Sequence, residues 1–202
     1  MRASTRREFV AGPAGRIECA VDSPETEARG VARGVALIAH PHPLFGGSLD
    51  NKVVQTLARA FLELGYETWR PNFRGVGQTE GVHDEGRGEL EDLAAVLKHT
   101  RTEKFVLAGF SFGASLMAKL AEQEKPEWLV LIGVGITRIM APPVAAGTLV
   151  IHGENDDTVP LAAVMDWARP ALQPVVVVPG ADHFFSGKLH VLRMLVLAHL
   201  KG

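Results

Sequence analysis

The chain has 202 residues, 47% of them hydrophobic, and no break in composition divides it, so we expect one domain over residues 1–202. Its net charge of −2 and its dispersed basic residues argue against nucleic acid or an anionic membrane surface as a partner. The only cysteine, Cys19, cannot form an internal disulfide, and no apolar stretch reaches the ~18 residues of a membrane span. With a basic N-terminus that lacks a signal-peptide core, these features predict a cytoplasmic protein.

Apolar periodicity predicts alternating strands and helices along the chain. After a solvated tail (residues 1–8), a strand over residues 16–21 would form a hairpin with residues 32–39, and Asp50 would cap a helix over residues 50–64. Further strands are predicted over residues 66–70, 104–108, 127–132, 148–152 and 175–178, and further helices over residues 89–100, 113–122, 161–168 and 187–199. This alternation predicts the α/β class: a mostly parallel, twisted sheet with helices on both faces.

A serine between two glycines follows the apolar run at residues 105–108 and precedes small residues that can start a helix. This segment, Gly109-Phe110-Ser111-Phe112-Gly113, has the G-x-S-x-G pattern of a nucleophile elbow, in which a strand turns sharply into a helix and exposes the serine. Side chains at the two glycine positions would clash in such a turn. Ser111 is therefore a candidate nucleophile, although an ordinary glycine-rich turn with a surface serine produces the same pattern.

Two further predicted strands end in residues that can complete a catalytic triad. Asp156 and Asp157 follow one of these strands, and His183 follows the next. Ligands of open α/β sheets bind beyond the carboxyl ends of the strands, so serine, carboxylate and histidine would share one edge of the sheet. The order of serine, acid and histidine along the chain is also that of this class of elbow. We therefore predict that His183 takes the proton of Ser111 while a buried carboxylate orients the imidazole.

The segment over residues 36–47 predicts the rest of an oxyanion-binding site. An apolar strand there runs into a tight loop with two prolines and two glycines. Such a loop can supply one N–H to the attacked carbonyl oxygen, and Phe112, at the start of the next helix, can supply another. Because proline has no N–H, the donors that remain in the loop are those of His42, Leu44 and Phe45.

These motifs resemble α/β-hydrolases, and more narrowly the small lidless bacterial hydrolases related to dienelactone hydrolase. Those proteins carry a His-Pro-His-Pro-x-x-Gly-Gly loop and an Asn-x-Arg-Gly-x-Gly loop, matched here by residues 40–47 and 72–77. The similarity covers about residues 33–199. The family pattern Gly-x-x-Asp-x-x-Val-Pro favours Asp156 over Asp157, since Asp156 stands four residues before the proline.

The chain departs from dienelactone hydrolase in two places. That enzyme uses a cysteine nucleophile, whereas this chain has Ser111, and Cys19 lies far upstream. Lactone specificity therefore does not follow from the resemblance. In addition, His83 stands where such relatives often carry an aromatic residue.

The connection between residues 133 and 148 is short. Its about 14 residues are too few for the lid that is commonly inserted there in this fold, so we expect an open site. Methylenes of a long acyl chain would then stay hydrated and contribute little to binding. We expect a preference for short acyl groups, roughly acetate to butyrate.

Residues near these motifs are candidates for the substrate pocket, namely Phe73, Arg74 and Phe184. Arg74 would either bind a substrate carboxylate or pair with a nearby acid such as Glu80 or Asp84. Three histidines are candidate metal ligands, namely His40, His42 and His83. No clustered carboxylate or cysteine completes a ligand set, so we expect neither metal nor cofactor.

The sequence as a whole predicts a serine hydrolase that cleaves small carboxylic esters through an acyl-enzyme. A thioesterase or a lactonase would use the same triad. A binding protein would keep the fold without turnover, because fold does not imply function. The expected partner is a small ester, and a homodimer is left open.

Overall fold

A computed structural model describes residues 5–24, 32–100, 102–136 and 139–201. Its eight strands form one sheet in the order β1-β2-β4-β3-β5-β6-β7-β8. The strands are β1 (Arg6–Gly12), β2 (Gly15–Asp22), β3 (Val35–Ala39), β4 (Glu67–Pro71), β5 (Phe105–Phe110), β6 (Trp128–Ile132), β7 (Leu149–Gly153) and β8 (Val175–Val178). From β4 to β8 all neighbours are parallel, whereas β1 and β2 add an antiparallel edge.

Within the described residues, five α-helices cover the two faces of the sheet: α1 (Lys52–Glu63), α2 (Arg87–Thr100), α3 (Phe112–Glu124), α4 (Leu161–Ala168) and α5 (Leu189–Lys201). Alternate strand residues supply two separate cores, because successive side chains of a strand point to opposite faces. In β5, Leu107 packs with α2 and α3, and Val106 packs with α1 and α5. The predicted α/β class with helices on both faces is confirmed.

The N-terminal hairpin differs from the prediction. β2 pairs with β1, in a register that joins Arg6 to Val21 and Gly12 to Gly15, and not with β3. β3 lies instead between β4 and β5. All five of its residues are apolar and buried, which suits an interior parallel strand covered on both faces. Residues 6–8, predicted as part of a solvated tail, belong to β1.

The N-cap of helix α1 lies one residue later than predicted. The cap is Asn51 rather than Asp50, and the Asn51 Oδ1 accepts hydrogen bonds from the N–H groups of Val53 at 2.9 Å and Val54 at 3.4 Å. An asparagine satisfies the unpaired N–H groups of a first turn as well as an aspartate does. The Asp50 side chain instead lies 3.6 Å from the Arg7 guanidinium.

The connection between β6 and β7 forms no lid. Its described residues, 133–136 and 139–148, contain no helix or strand. The indole N–H of Trp167 in α4 donates to the carbonyl of Ala141 at 2.9 Å, so this connection packs against the body of the fold. Within the described ranges, none of the helices has the length and apolar character needed to cross a membrane.

Candidate active site

Ser111 stands at a sharp turn between β5 and α3. Its backbone has φ 55° and ψ −118°, which is strained for a residue with a side chain. A Cβ on Gly109 would lie 2.5 Å from the Gly113 backbone, and one on Gly113 would lie 2.5 Å from the His40 carbonyl oxygen. Both flanking positions therefore require glycine, as the elbow pattern predicts.

Backbone hydrogen bonds hold this strained turn. The Ser111 N–H donates to Ile132 O at 2.9 Å, and the Ser111 carbonyl accepts from Ala114 N at 3.0 Å and Gly135 N at 3.1 Å. A Cβ on Gly135 would approach the Ser111 carbonyl carbon to 2.9 Å, so this position also needs glycine. The segment after β6 thus holds the turn at Ser111 in place, a role that was not predicted from the sequence.

The structure brings Ser111, His183 and Asp156 into one hydrogen-bonded chain. His183 Nε2 lies 3.1 Å from Ser111 Oγ, and His183 Nδ1 lies 2.7 Å from Asp156 Oδ2. A carboxylate only accepts, so Nδ1 carries the ring proton and Nε2 is left to accept from the serine hydroxyl. The imidazole is almost fully buried and packs against the rings of Phe110 and Phe184. Its tautomer is the one that a general base needs.

The turn that follows β7 gives the neighbouring acids Asp156 and Asp157 different partners. Asp156 Oδ1 accepts from the N–H groups of Thr158 at 3.0 Å and Val159 at 2.7 Å, which leaves Oδ2 for His183. Asp157 is exposed and contacts the Thr158 hydroxyl at 3.3 Å. Of these two acids, Asp156, which the family pattern favours, is the one that reaches the imidazole.

A second buried histidine, His152 at the end of β7, lies behind the same carboxylate. Its Nε2 donates to Val159 O at 2.8 Å and lies 3.5 Å from Asp156 Oδ2. Burial lowers the pKa of His152, so the ring is neutral beside the carboxylate. A place for His152 in the site was not predicted from the sequence. The available signal was one histidine at the end of an otherwise apolar strand, four residues before Asp156.

The loop after β3 is built around His42. A 3-10 turn covers Pro43–Phe45, the Leu44 N–H donates to His42 Nδ1 at 3.3 Å, and the N–H groups of Phe45 and Gly47 donate to His42 O, each at 3.1 Å. The Leu44 side chain is exposed and does not line the cavity. Of the three predicted loop donors, Leu44 and Phe45 therefore direct their N–H groups into the loop itself.

His40 joins this loop to the end of β4. Its Nε2 accepts from the N–H of Phe73 at 2.9 Å, and its Nδ1 donates to Pro41 O at 2.6 Å. Both ring nitrogens are used in these bonds, so His40 has none left for a metal. Burial lowers the pKa of His40 to about 4, so the ring is neutral at physiological pH.

The Asn-x-Arg-Gly loop after β4 is held in place by its two polar side chains, Asn72 and Arg74. Asn72 Oδ1 accepts from the Leu49 N–H at 2.9 Å, and Asn72 Nδ2 donates to Glu18 Oε2 at 2.8 Å. Arg74 forms a two-pronged ion pair with Asp92, at 2.8 and 2.9 Å, and its Nη2 also donates to Gly88 O at 2.7 Å. Both motif residues are buried and tie the loop to neighbouring elements.

A cavity of about 640 Å³ opens in front of Ser111. Its lining residues are Pro41, His42, Phe45, Gly46, Gly47, Asn51, Ser111, Phe112, Gly135, Thr158, Val159, His183 and Phe184. Of the three predicted pocket residues, only Phe184 belongs to this wall. Phe73 is buried against the rings of His40 and Phe112, so it supports the wall from behind.

The prediction of Arg74 as a pocket residue needs correction. Its guanidinium is committed to Asp92 and does not reach the cavity. Neither predicted alternative partner forms the ion pair either, since Glu80 lies near Arg16 and Asp84 pairs with Arg87. Asp92 lies 18 residues along the chain, and α2 brings it close.

His83, which stands where the resembling hydrolases often carry an aromatic residue, packs against other rings with its imidazole. The imidazole lies 4.9 Å from the ring of His42 and 5.7 Å from that of Phe112, and its Nδ1 lies 2.7 Å from the buried Glu89 carboxylate. His83 thus packs as an aromatic side chain behind the loop that carries His42. In the described part of the chain, no three His, Cys, Asp or Glu side chains gather as a ligand set for a metal ion.

Comparison with known proteins identifies the family. A model described as alpha/beta hydrolase fold matches residues 42–145. An uncharacterised protein of Rickettsia prowazekii is 32% identical over 201 residues, which cover 89% of this chain and 82% of that protein.

Two solved structures extend the similarity over nearly the whole chain. A lidless α/β serine hydrolase from Xanthomonas campestris is 35% identical, with a TM-score of 0.89 and coverage of 100% of this chain and 95% of the other. An α/β serine hydrolase homologue from Coxiella burnetii is 39% identical, with a TM-score of 0.89 and coverage of 99% of each chain. The fold, the short β6–β7 connection and these relatives agree, and the chain belongs to the α/β-hydrolase family.

Proposed function

We propose that this protein is a carboxylesterase that cleaves small esters with Ser111, His183 and Asp156. The observation that carries the proposal is the hydrogen-bonded chain from Ser111 Oγ through His183 to Asp156. It ends at a strained serine that faces a cavity large enough for a small ester. A strained serine that lines a cavity is typical of a nucleophile held ready for attack.

In the proposed reaction, His183 Nε2 takes the proton of Ser111 Oγ as the oxygen attacks the ester carbonyl. Asp156 holds the Nδ1–H tautomer and stabilises the imidazolium that forms. The tetrahedral intermediate collapses to an acyl-enzyme, and His183 returns the proton to the departing alcohol. Water then attacks the acyl carbonyl as it loses a proton to His183, and when the bond to Ser111 Oγ breaks, His183 returns this proton to the serine and the acid leaves. These residues supply nucleophile, base and acid, so the proposed mechanism uses no cofactor.

We assign the oxyanion donors to the backbone N–H groups of Phe112 and His42. Phe112 is the first residue of α3, where helical N–H groups lack intrahelical acceptors and the helix dipole favours negative charge. His42 lines the cavity beside it, with ring centroids 4.7 Å apart. Leu44 and Phe45 are poorer candidates, because their N–H groups donate to His42 within the loop.

A fluorophosphonate probe tests the proposal first. We expect stoichiometric labelling of Ser111, located by mass spectrometry, and no labelling after mutation of that serine. A binding protein that only keeps the fold would remain unlabelled and would hydrolyse no ester.

Matched substrates then separate the three reaction types. We expect p-nitrophenyl esters to be cleaved faster than thioesters or lactones of equal chain length, with the best rates at short acyl groups. Faster thioester or lactone turnover would replace the esterase assignment but keep the triad. Cytoplasmic location and a homodimer stay predictions, to be checked by cell fractionation and light scattering.

A further inference from the structure

The carboxylate of Asp156 lies beside two imidazole rings. His183 Nδ1 lies 2.7 Å from Oδ2, and His152 Nε2 lies 3.5 Å from the same oxygen. The second distance is longer than an ordinary hydrogen bond, so the His152 N–H does not replace the bond to His183. His152 is fully buried near the end of β7. The proposed proton transfers do not use this ring, although it is a titratable group buried beside the carboxylate that they need.

His152 is connected to Asp156 through the backbone of Val159. Its Nε2 lies 2.8 Å from the Val159 carbonyl oxygen, and because that oxygen only accepts, Nε2 carries the ring proton. The Val159 N–H donates to Asp156 Oδ1 at 2.7 Å. Two hydrogen bonds made by one backbone residue therefore link the His152 ring to the carboxylate that His183 contacts.

The bond from His152 fixes the end of the turn that follows β7. Val159 is only 2% exposed, so loss of the imidazole donor would leave its carbonyl buried and unsatisfied, and the turn would have to shift to reach water. Asp156 Oδ1 accepts from the N–H groups of both Thr158 and Val159. A shift of the turn would therefore rotate the carboxylate and move Oδ2 away from His183.

The donor at this place has to be uncharged. A lysine or an arginine would form an ion pair with Asp156 and would compete with the imidazolium of His183 for the same charge. Burial lowers the pKa of His152, and its Nδ1 has no hydrogen-bond partner among the described residues, so a second ring proton would be unsatisfied. The ring is therefore a neutral N–H donor at physiological pH.

We propose that His152 is a positioning residue for the triad. It holds the Val159 backbone, which in turn orients Asp156 toward His183 Nδ1. As a neutral donor, it leaves the carboxylate charge to stabilise the imidazolium of His183. This inference rests on the proposed function of the triad and adds a residue that does not line the cavity. If His152 only filled the core, its removal would change stability alone.

The tautomer of His183 tests the proposal, because the ¹⁵N chemical shifts of the ring show which nitrogen carries the proton. His152→Phe keeps a ring that cannot donate, and His152→Gln restores a neutral N–H. We expect the neutral His183 ring to carry its proton on Nδ1 in the parent and in His152→Gln. In His152→Phe the Nε2–H tautomer should be populated as well, since the carboxylate no longer holds the proton on Nδ1. An unchanged tautomer in folded His152→Phe, or the same mixture in His152→Gln, would overturn the proposal.

Steady-state kinetics on p-nitrophenyl butyrate provide the second readout. We expect His152→Phe to lower kcat roughly 30-fold with little change in KM, because a small displacement of a catalytic group can cost up to ~100-fold in rate. His152→Gln should recover most of this loss. Val164→Ala is the matched control: it opens a cavity in the core that contains Val159, so it should lose stability but keep the kcat and the His183 tautomer of the parent. Equal losses of kcat in Val164→Ala and His152→Phe would contradict a positioning role.

The outcomes separate this inference from the function on which it rests. If the parent hydrolyses no ester, the esterase proposal fails, and the His183 tautomers of parent and variants still decide the role of His152. If His152→Phe does not fold, the parent alone provides the test. Its His152 ring should be neutral at physiological pH with the proton on Nε2, and a charged ring or a proton on Nδ1 would overturn the proposal.

Discussion

The two sides of the site use buried polar groups in different ways. On the side formed by the ends of β5, β7 and β8, Ser111, His183 and Asp156 form one hydrogen-bonded chain that is open to the cavity. On the side formed by the ends of β3 and β4, His40 forms its hydrogen bonds with backbone groups and Arg74 forms an ion pair with Asp92. We therefore expect substitutions of these polar residues to change kcat on the first side and the free energy of unfolding on the second.

The largest expected effect is that of Ser111→Ala, on the side of the proposed triad. This variant should fold normally and lose kcat for p-nitrophenyl butyrate by ~10⁶-fold, the loss seen when the nucleophile of a comparable triad is removed. Ser115→Ala, one turn later in α3, is the matched control and should stay active, because its hydroxyl has no hydrogen-bond partner in the described structure. A burst of p-nitrophenol from the Ser111 variant would rule out this nucleophile.

The next largest expected difference is in kcat between variants of the neighbouring acids Asp156 and Asp157. Asp156→Asn should lower kcat by ~10⁴-fold, because an amide favours the wrong imidazole tautomer. Asp157→Asn should have a mild effect, since that carboxylate is exposed and does not touch His183. Steady-state kinetics on both variants check the ranking, and the reverse order would move the role to Asp157.

On the other side of the site, breaking the Arg74–Asp92 pair should act on stability. Asp92→Asn leaves a buried guanidinium with only part of its partners, so we expect the free energy of unfolding to fall by about 3–5 kcal/mol. The kcat of the folded fraction should stay close to that of the parent, because neither residue lines the cavity.

An exposed ion pair provides the control for this variant. Asp166→Asn breaks the pair of Asp166 with Arg169, whose side chains are 71% and 67% exposed, and should cost less than ~1 kcal/mol. Urea unfolding measures both changes. A large loss of kcat in folded Asp92→Asn, without loss of stability, would contradict the proposed division of roles.

The smallest effect concerns pH and His40. Its pKa falls from 6.5 to about 4 on folding because of burial, so between these values the unfolded chain binds more protons than the folded one. Stability should therefore fall as pH is lowered from 6.5 to 4, by roughly 3 kcal/mol from this residue alone. At higher pH the contribution is fully present, because the ring is neutral in both states.

Comparison with His40→Gln isolates that contribution. The difference in unfolding free energy between parent and variant should shrink as the pH is lowered from 6.5 to 4. Titrations that are common to both proteins cancel in this difference. If the variant does not fold, NMR titration of the parent decides: the His40 ring should stay neutral down to pH 5. Protonation near pH 6.5 would contradict the assignment.

Local patterns in the sequence were enough to predict much of this protein. The alternation of apolar segments predicts the α/β class, and the glycines around Ser111 predict a turn in which Cβ atoms have no room. Because parallel strands align their carboxyl ends, the order of the motifs also predicts that Asp156 and His183 lie near the serine. Each inference uses only neighbours in the chain or the general geometry of sheets.

Only the tertiary structure decided which buried groups become partners. Arg74 pairs with Asp92 because α2 packs over its loop, although Glu80 and Asp84 are closer in sequence. His152 reaches the Asp156 carboxylate through the turn after β7, and β2 pairs with β1 and β4 rather than with β3. Such choices depend on which elements exclude water together, and that depends on the packing of the whole chain rather than on spacing along it.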